Sequence, residues 1–331
     1  MVPANKVLFS LMLWFTVFNT LSAFATGYTS FLILRFLSGL PHGAFFGIGA
    51  VVAGKLSKSG KEAQGIAIMF SGLTIANLLG VPLGTYLGKH FNWNISFLMV
   101  GVVGILAVTS VKLWMPVLKQ SSENSFVSEF KIFKRLELWL IILLTTIGTG
   151  GFFAWYSYIA PLITEVAGHP DEMISLAMIL AGLGMVIGNF IGAKMSEKFG
   201  PMQSIIITLV LMVSALALNT YLAHDKTLVL VMTFLIGTIT FCISTPIQVA
   251  IINASKGSET LGSSLNQSAF NIGNASGAYF AGLPIAMGFG YTAADWVGAA
   301  MAGTGIFIAL IIMALRQNQT KKSLRSMLFI G

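Results

Sequence analysis

The sequence predicts an all-α integral membrane protein with ten transmembrane helices. Of its 331 residues, 56% are hydrophobic and only 9% are charged, and the mean hydropathy is +0.85. A soluble domain carries roughly a quarter of its residues as charged side chains. Apolar runs of roughly 20 residues, the length that crosses a bilayer as a helix, recur ten times. The runs cover about 6–25, 30–53, 65–88, 95–115, 136–160, 173–193, 203–222, 228–250, 262–287 and 294–315.

The first run admits a second interpretation. Lys6, the apolar stretch after it and the small residues Ala23-Phe24-Ala25 are similar to a secretory signal peptide with its cleavage site. The run continues through polar Asn19, however, and nine more runs follow it. We therefore expect a retained transmembrane helix.

The basic residues predict the orientation of the spans. With the N-terminus inside and ten alternating spans, sixteen of the nineteen Lys and Arg residues face the inner side; Lys89 and Lys226 face outward and Arg35 lies within the second span. Cytoplasmic loops carry the excess of Lys and Arg. Both termini are therefore predicted to be cytoplasmic. This asymmetry and anionic lipid at the inner face account for the net charge of +8, without a nucleic-acid partner.

One long polar connection divides the predicted spans into four and six. Residues 116–136 are rich in serine and charge and predict a cytoplasmic linker, with a short surface helix around EFKIFKRLE. The predicted divisions are then an N-terminal bundle over 1–115, a six-helix bundle over 137–315 and a basic cytoplasmic tail over 316–331.

An internal repeat relates the two bundles. The segment Gly60–Gly80 aligns without gaps to Gly257–Gly277, with six identities. These are Gly60/Gly257, Glu62/Glu259, Gly65/Gly262, Ser71/Ser268, Asn77/Asn274 and Gly80/Gly277. The third span then corresponds to the ninth, which is the fifth helix of the second bundle, and parallel repeats of this kind are found in transporters. The repeat therefore predicts a 4 + 6 arrangement truncated from 6 + 6, with two helices missing at the front.

Four segments carry a resemblance to a known family. They are RFLSGLPHGAFFG (35–47), ANLLGVPLGTYLG (76–88), FAWYSYIAP (153–161) and the more degenerate AKMSEKFG (193–200). The sequence resembles the major facilitator superfamily, and within it the drug:proton antiporter branch. The resemblance implies the major facilitator fold in the bacterial inner membrane. It also implies monomeric secondary transport by alternating access, with efflux of a small molecule such as a sugar or a drug.

The sequence departs from this family at the positions used for proton coupling. Members of the family commonly use a buried carboxylate, often on the first helix, whereas we expect no Asp or Glu inside any span here. Tryptophan-arginine usually follows the fifth family helix, but Asn94 follows Trp93. Proton coupling therefore stays open. In AKMSEKFG, Glu197 and Lys198 stand for the acid and the basic residue of the family's loop, and the resemblance assigns them to an inner gate.

Arg35 and His42 are the candidate ionisable groups of the membrane interior. Arg35 lies inside the second span, where it could reach the outer headgroups or face a cavity. The family resemblance favours a role in proton transfer or substrate contact. His42 follows two helical turns later and could carry a proton, or could be a hydrogen-bonded packing residue beside Pro41.

Small residues mark candidate packing and gating positions. Gly39, Gly43 and Gly47 recur every fourth residue, a pattern that lets helix backbones approach closely. Gly80, Pro82 and Gly84 resemble the antiporter motif of the fifth family helix, where proline bends the helix axis. The resemblance implies that this bend seals the outer side of the cavity; the alternative is a purely structural kink.

Amides on the ninth span are the candidate substrate contacts. Gln267, Asn271 and Asn274 lie at i, i+4 and i+7, so they share one helix face. Amides are unfavourable toward lipid, so this face is expected to point inward, either to bind a substrate or to hold a neighbouring helix. Asn77, the repeat partner of Asn274, is expected across the cavity. Trp155, Tyr156 and Tyr158 predict an interfacial aromatic belt, with a role in the cavity as the alternative.

Other classes of function have little support. The chain shows no H-E-x-x-H, P-loop or G-x-S-x-G motif, and its single Cys242 excludes an internal disulfide. We therefore expect no enzyme activity, cofactor or metal, and transport that is not driven by ATP. The competing hypotheses are a non-transporting remnant of a transporter and a ten-helix transporter with 5 + 5 inverted halves. The linker after the fourth span and the even-numbered repeat disfavour the second.

Overall fold

The described residues form helices joined by short connections. A computed structural model describes residues 3–117 and 130–328, including their side chains except at 85, 89, 130 and 318–328. Every regular element in these ranges is a helix, which confirms the all-α prediction. The helices are α1 Ala4–Leu21, α2 Tyr28–Gly39, α3 His42–Leu56, α4 Glu62–Ile75, α5 Val81–His90, α6 Trp93–Trp114, α7 Leu136–Tyr156, α8 Glu172–Phe199, α9 Pro201–Leu222, α10 Lys226–Phe241, α11 Ser244–Ala254, α12 Glu259–Ala286 and α13 Ala293–Leu328.

The helices have the length and composition of membrane spans. Nine helical segments of the described residues are long and apolar enough to cross a bilayer. The predicted run at 262–287 forms α12, which has 28 residues but carries more polar side chains than the other nine. Of the predicted linker, residues 118–129 lie outside the described residues, and Phe130–Lys134 forms a 3-10 turn. The predicted tail continues α13 as far as Leu328; residues 329–331 are not described.

Three predicted spans are interrupted along their length. The second breaks between α2 and α3 at Pro41, and the eighth breaks between α10 and α11. The third contains a π-helical turn, Ala76–Gly80, between α4 and α5. Because Pro41 has no N–H, it cannot donate to the carbonyl of Leu37. The indole Nε1–H of Trp14 on α1 donates to that oxygen instead, at 2.8 Å.

The helices pack as two sets, α1–α6 and α7–α13. Within the first set α1 packs against α6 and α3 against α4; within the second, α7 packs against α12 and α13, α8 against α10, and α9 against α13. Contacts of α3 with α12 and of α4 with α8 join the two sets. The large apolar core lies in the second set, and α6 exposes most of its apolar side chains. The first set therefore depends more on lipid and on the second set for burial.

The repeated loops have the same local structure. Gly60 and Gly257 both adopt positive φ, +78° and +87°, which favours glycine. In each loop the glycine N–H is hydrogen-bonded to the carboxylate two residues later, Glu62 or Glu259, at 3.1 and 2.9 Å. The end of the bundle that contains these loops is called the linker end. It comprises residues 57–61, 115–117, 130–135, 200 and 255–258, and the opposite end comprises 25–27, 91–92, 157–171, 223–225 and 287–292.

The hydrogen bond from Trp14 to the broken helix generates the first prediction. Trp14→Phe should lower the free energy of unfolding in detergent by about 1 kcal/mol, because the Leu37 carbonyl loses its donor. In a Pro41→Ala background the residue at position 41 regains an N–H that can bond this carbonyl, so Trp14→Phe should cost less there. Chemical denaturation of the reference protein, the two single variants and the double variant measures the cost of Trp14→Phe in each background. Equal costs in the two backgrounds would contradict this role of Trp14.

Candidate functional site

A central cavity lies between the two sets of helices. Its volume is about 210 Å³. It is lined by His42, Phe46, Phe70, Leu73, Asn77, Thr149, Phe152, Phe153, Tyr156, Met185, Thr240, Phe241, Ile243, Ser244, Gln267, Phe270, Asn271 and Asn274. Five of the six residues predicted for the substrate or proton pathway are among them. No Asp, Glu, Lys or Arg of the described residues lines this cavity.

Helix α12 contributes amides to the cavity because its other face is held against α7 by glycine. A Cβ added at Gly273 would lie 2.5 Å from the carbonyl oxygen of Thr146 on α7, so only glycine allows this approach. Gln267, Asn271 and Asn274 occupy the face that remains, and they point into the cavity. Gln267 is buried, and Asn271 is exposed to the open space of the cavity and its neighbouring groove.

His42 enters the cavity at the first residue of α3, directly after Pro41. Its ring packs 4.8 Å from the ring of Phe46, which stacks in turn on Phe70 at 6.1 Å. The side chain is half-buried. His42 and its aromatic neighbours therefore form the wall of the cavity that faces the amides of α12.

Asn77 reaches the cavity from the π-helical turn. Its Nδ2 donates to the carbonyl of Leu73 at 3.0 Å. The next residue, Leu78, lies against α8, where a Cβ added at Gly182 would be 2.6 Å from the Leu78 Cα. π-turns are frequent at functional sites. Here the turn joins a cavity residue to a close contact between the two sets.

Arg35 is the one predicted pathway residue that does not line the central cavity. Its guanidinium donates to Oδ1 of Asn19 on α1 at 2.9 Å and lies 5.3 Å from the ring centroid of Phe97 on α6. It lines a second groove, of about 500 Å³, that also contacts His42 and Asn271. Arg35 is exposed, but Asn19 of α1 and Phe97 of α6 hold its guanidinium in place. The groove connects it to two residues of the cavity.

The predicted packing glycines of the second span contact α12 unequally. Gly43 lies against Ser264 and Ser268 of α12. An added Cβ would be 3.4 Å from the carbonyl oxygen of Ser264 and 3.4 Å from the hydroxyl oxygen of Ser268. At Gly47 an added Cβ would be 2.6 Å from the Ser264 nitrogen. Nothing lies within 4 Å of that position at Gly39, which lines the groove beside Arg35. Close packing with α12 is therefore made by Gly43 and Gly47.

The predicted bend around Pro82 coincides with the π-helical turn. The turn ends at Gly80, α5 begins at Val81, and Pro82 is the second residue of α5. An added Cβ at Gly80 or Gly84 would meet no atom within 4 Å. The carbonyl of Gly84 accepts a hydrogen bond from Ser96 on α6 at 3.1 Å. The region is thus an irregular helix with open space at its glycines.

Two hydrogen bonds cross between the sets on the linker side of the cavity. Glu197 Oε1 accepts from the backbone N–H of Gln64 at the start of α4, at 3.2 Å. Asn189 Nδ2 donates to the carbonyl of Ala67 at 2.6 Å, and its Oδ1 accepts from Thr245 at 3.2 Å. Two interfaces, or seams, join the sets: α4 against α8, and α3 against α12. These hydrogen bonds close the first seam between the cavity and the linker end, and the packing of α3 on α12 closes the second. Lys198 takes no part in them, and its Nζ lies 5.2 Å from the ring centroid of Phe199.

Two expectations about the membrane interior are wrong. Asp295, the third residue of α13, is fully buried, although no acidic residue was expected inside a span. The aromatic belt expected at the end of the fifth span is not formed, because Trp155 is buried and Tyr158 donates to the carbonyl of Ala278. The alternative, a role in the cavity, holds for Tyr156. These residues occur near the ends of apolar runs, where helix length alone suggests an interfacial position.

Sequence reasoning missed Asn189 and the phenylalanines of the cavity. Asn189 lies within an apolar run, and its partner is a backbone carbonyl, which leaves no trace in the sequence. Phe46, Phe70 and Phe152 could equally well face lipid by composition. A polar residue inside a predicted span is the signal that could have identified Asn189.

A cavity that presents amides and aromatic rings between two sets of membrane-length helices is typical of a transport protein. Comparisons with known proteins agree. The model of the Major Facilitator Superfamily matches residues 2–278 and, in a second match, residues 171–327. The chain is 37% identical to "Putative transporter AraJ" of Escherichia coli K12 over 273 residues, covering 82% of this chain and 69% of that protein.

Another relative and a solved structure extend the match. The chain is 33% identical to the "Inner membrane transport protein YdhP" of Escherichia coli K12 over 316 residues, covering 95% of this chain and 80% of that protein. A crystal structure of the Escherichia coli fucose:proton symporter FucP superposes with a TM-score of 0.75 at 13% identity, over 93% of this chain and 84% of that one. The chain belongs to the Major Facilitator Superfamily. It is a multi-pass membrane transporter rather than an enzyme, as the sequence predicted.

The Asn189 contact generates the second prediction. Asn189→Ala removes a hydrogen bond between the sets, which is worth about 0.5–1.5 kcal/mol, so the seam at α4 should open roughly 2–10 times more often. The measurement is the rate at which a water-soluble thiol reagent labels A67C in a Cys242→Ser background, because Ala67 is fully buried in this seam.

Ser196→Ala is the matched control on the same helix. The Ser196 hydroxyl is buried and has no hydrogen-bond partner among the described residues, so its removal should leave the labelling rate unchanged. An equal rate for the Asn189→Ala and reference proteins would contradict the assignment of Asn189 as a closing contact.

Proposed function

We propose that this chain is a secondary transporter that exports a small, neutral, polar molecule by alternating access. The observation that carries the proposal is the central cavity, where amides of α12 face His42 and aromatic rings from both sets. The two sets, predicted from the sequence as 1–115 and 137–315, would rock about this cavity and expose it to one side at a time. Arg35, His42, Asn77, Gln267, Asn271 and Asn274 form the proposed pathway.

The lining of the cavity supports a neutral substrate rather than an ion. No fully charged side chain of the described residues lines the cavity, so a charged substrate would lose its hydration without a countercharge. Amide groups offer both donors and acceptors, which suit hydroxyl groups.

The size of the cavity favours a sugar over a drug. Its volume of about 210 Å³ is below the ~300–1,000 Å³ of pockets for drug-sized ligands. The name of the fucose:proton symporter with the similar fold supports both a sugar and proton coupling for this chain as well. The antiporter-like segment with Gly80, Pro82 and Gly84 supports export.

The proposed orientation places the linker end in the cytoplasm of a bacterium, with the protein as a monomer in the inner membrane. The contacts that close the seams toward the linker end then form the cytoplasmic gate. Glu197, through Gln64, and Asn189, through Ala67, must separate when the cavity opens inward. Gly43 and Gly47 allow α3 to slide on α12 during this movement. Lys198 lies beside the gate and is assigned to it by the family resemblance.

The amides of α12 generate the third prediction. A panel of radiolabelled sugars is tested for binding to the purified full chain by scintillation proximity, and the best ligand is used for counterflow in proteoliposomes. Gln267→Ala and Asn271→Ala should each weaken binding roughly 5-fold, because each removes a hydrogen bond of about 1 kcal/mol. A protein that binds and exchanges no sugar would overturn the proposal.

The control for these variants lies on the same helix. The Ser276 hydroxyl donates to the carbonyl of Gly273 within α12 and does not line the cavity. Ser276→Ala should therefore retain the reference affinity. A loss of affinity equal to that of Gln267→Ala would indicate a general effect on α12 rather than contact with the ligand.

A further inference from the structure

A buried carboxyl group lies outside the cavity, between α9 and α13. Asp295 and Asn219 are both buried, with 0% and 1% of their surface exposed. Asn219 Nδ2 donates to Asp295 Oδ2 at 3.0 Å. Neither residue lines the central cavity or the groove beside Arg35. The transport pathway described above therefore makes no use of this pair.

Each side chain of the pair retains a buried oxygen without a donor. Asp295 Oδ1 and Asn219 Oδ1 have no hydrogen-bond partner among the described residues. An unpaired buried acceptor costs roughly 1–3 kcal/mol, and an ionised carboxylate with a single hydrogen bond costs more. One proton on Asp295 converts a carboxyl oxygen into a donor for Asn219 Oδ1. A carboxylic acid and an amide then form two hydrogen bonds with each other.

In the first set of helices, the corresponding asparagine is Asn19, and its side-chain oxygen has a donor. Asn19, near the end of α1, donates through Nδ2 to the carbonyl of Phe97 on α6 at 3.3 Å, as Asn219 on α9 donates to α13. The Oδ1 atom of Asn19 accepts a hydrogen bond from the guanidinium of Arg35 at 2.9 Å. Among the described residues, no basic side chain is hydrogen-bonded to the Asn219 oxygen. A protonated Asp295 would supply this donor.

In the part of the chain that the structure describes, the charged groups around Asp295 do not pair with it. Beyond the end of α9, His224, Asp225 and Lys226 are exposed, and Asp225 caps α10. Before α13, the carboxylate of Glu165 raises the pKa of Tyr291, which keeps that phenol neutral. Helix α7 packs against α13 through Gly151 and Gly298. The described residues form no ion pair with Asp295.

We propose that Asp295 binds a proton in the folded protein and forms a neutral acid–amide pair with Asn219, which is a proton-binding site separate from the central cavity. The position of the pair connects it to transport. Gly298, three residues after Asp295, contacts Gly151, and the residue after Gly151 is Phe152 in the cavity wall. Loss of the proton would leave buried charge between α9 and α13 and shift α13 against α7. This coupling step rests on the proposed function; the proton site does not.

Infrared spectroscopy of the purified full chain tests the site without any substrate. The chain contains three aspartates, Asp171, Asp225 and Asp295, and the first two are exposed. Carbon-13 labelling of the aspartate carboxyl groups should shift one C=O band of a protonated carboxylic acid at neutral pH. The band should be lost in D295N and kept in D171N, the same chemical change at an exposed site. A spectrum without such a band would overturn the proposal.

Thermal unfolding in detergent gives an independent result and is the fourth prediction. If Asp295 is protonated when folded and ionised when unfolded, the unfolded state binds fewer protons, and stability falls as pH rises. D295N keeps a hydrogen donor and should lose this part of the pH dependence, whereas D171N should keep it. Stabilisation by sodium over choline that disappears in D295N would overturn the proposal, because it would indicate a cation between the two oxygens.

The coupling step has its own readout. Binding of the best sugar should depend on pH in the reference protein, and this dependence should be smaller in D295N, where His42 is the titratable group left in the cavity. Equal pH dependence in both proteins would overturn coupling through Asp295 and leave the infrared result standing. An absence of sugar binding in every protein would contradict the proposed function instead.

Discussion

The structure depends on one constraint: within a bilayer, every polar group must find a partner inside the protein. The chain meets this constraint with bonds between different helices, both at a broken helix and among buried side chains. Trp14 bonds the carbonyl released by Pro41. Thr145, Asn266, Gln248 and Ser263 form a continuous chain of hydrogen bonds between α7, α11 and α12. Since these partners come from different helices, the same bonds that satisfy polar groups also fix which helices are neighbours.

The second determinant of the arrangement is close approach through glycine. Helices in lipid gain little from apolar burial, so contact distance controls how well they pack. At Gly151 an added Cβ would be 2.5 Å from the carbonyl of Gly298, and the contact at Gly273 is equally close. These contacts hold α7 between α12 and α13. Because α7 is fixed on both sides, its remaining face can present Thr149, Phe152 and Tyr156 to the cavity.

The sequence was sufficient for the helices and for the amide face of α12, and insufficient for contacts to backbone atoms. Hydropathy locates spans because helix length is set by the bilayer, and a period of 3.6 places Gln267, Asn271 and Asn274 on one side. Breaks at Pro41 and at the π-helical turn depend on whether another helix supplies a partner. The contacts of Asn189 with Ala67 and of Glu197 with Gln64 use backbone groups, which every residue carries. Asp295 was missed because its position near a helix end hides its burial by α9.

The two sets of helices each bury an asparagine side chain at a helix–helix contact, but they differ in what donates to its oxygen. In each, an asparagine near the end of one helix donates to the helix beside it, but Arg35 completes the first pair and a proton on Asp295 completes the second. A fixed guanidinium is charged at all physiological pH values, whereas a carboxyl group can exchange its proton. The proposed proton site therefore lies in the half that contains the amides of α12, yet outside the cavity. A proton bound there does not compete with substrate for the same atoms. It acts by changing how α13 packs against α7, so proton and substrate would be linked through helix position rather than through direct contact.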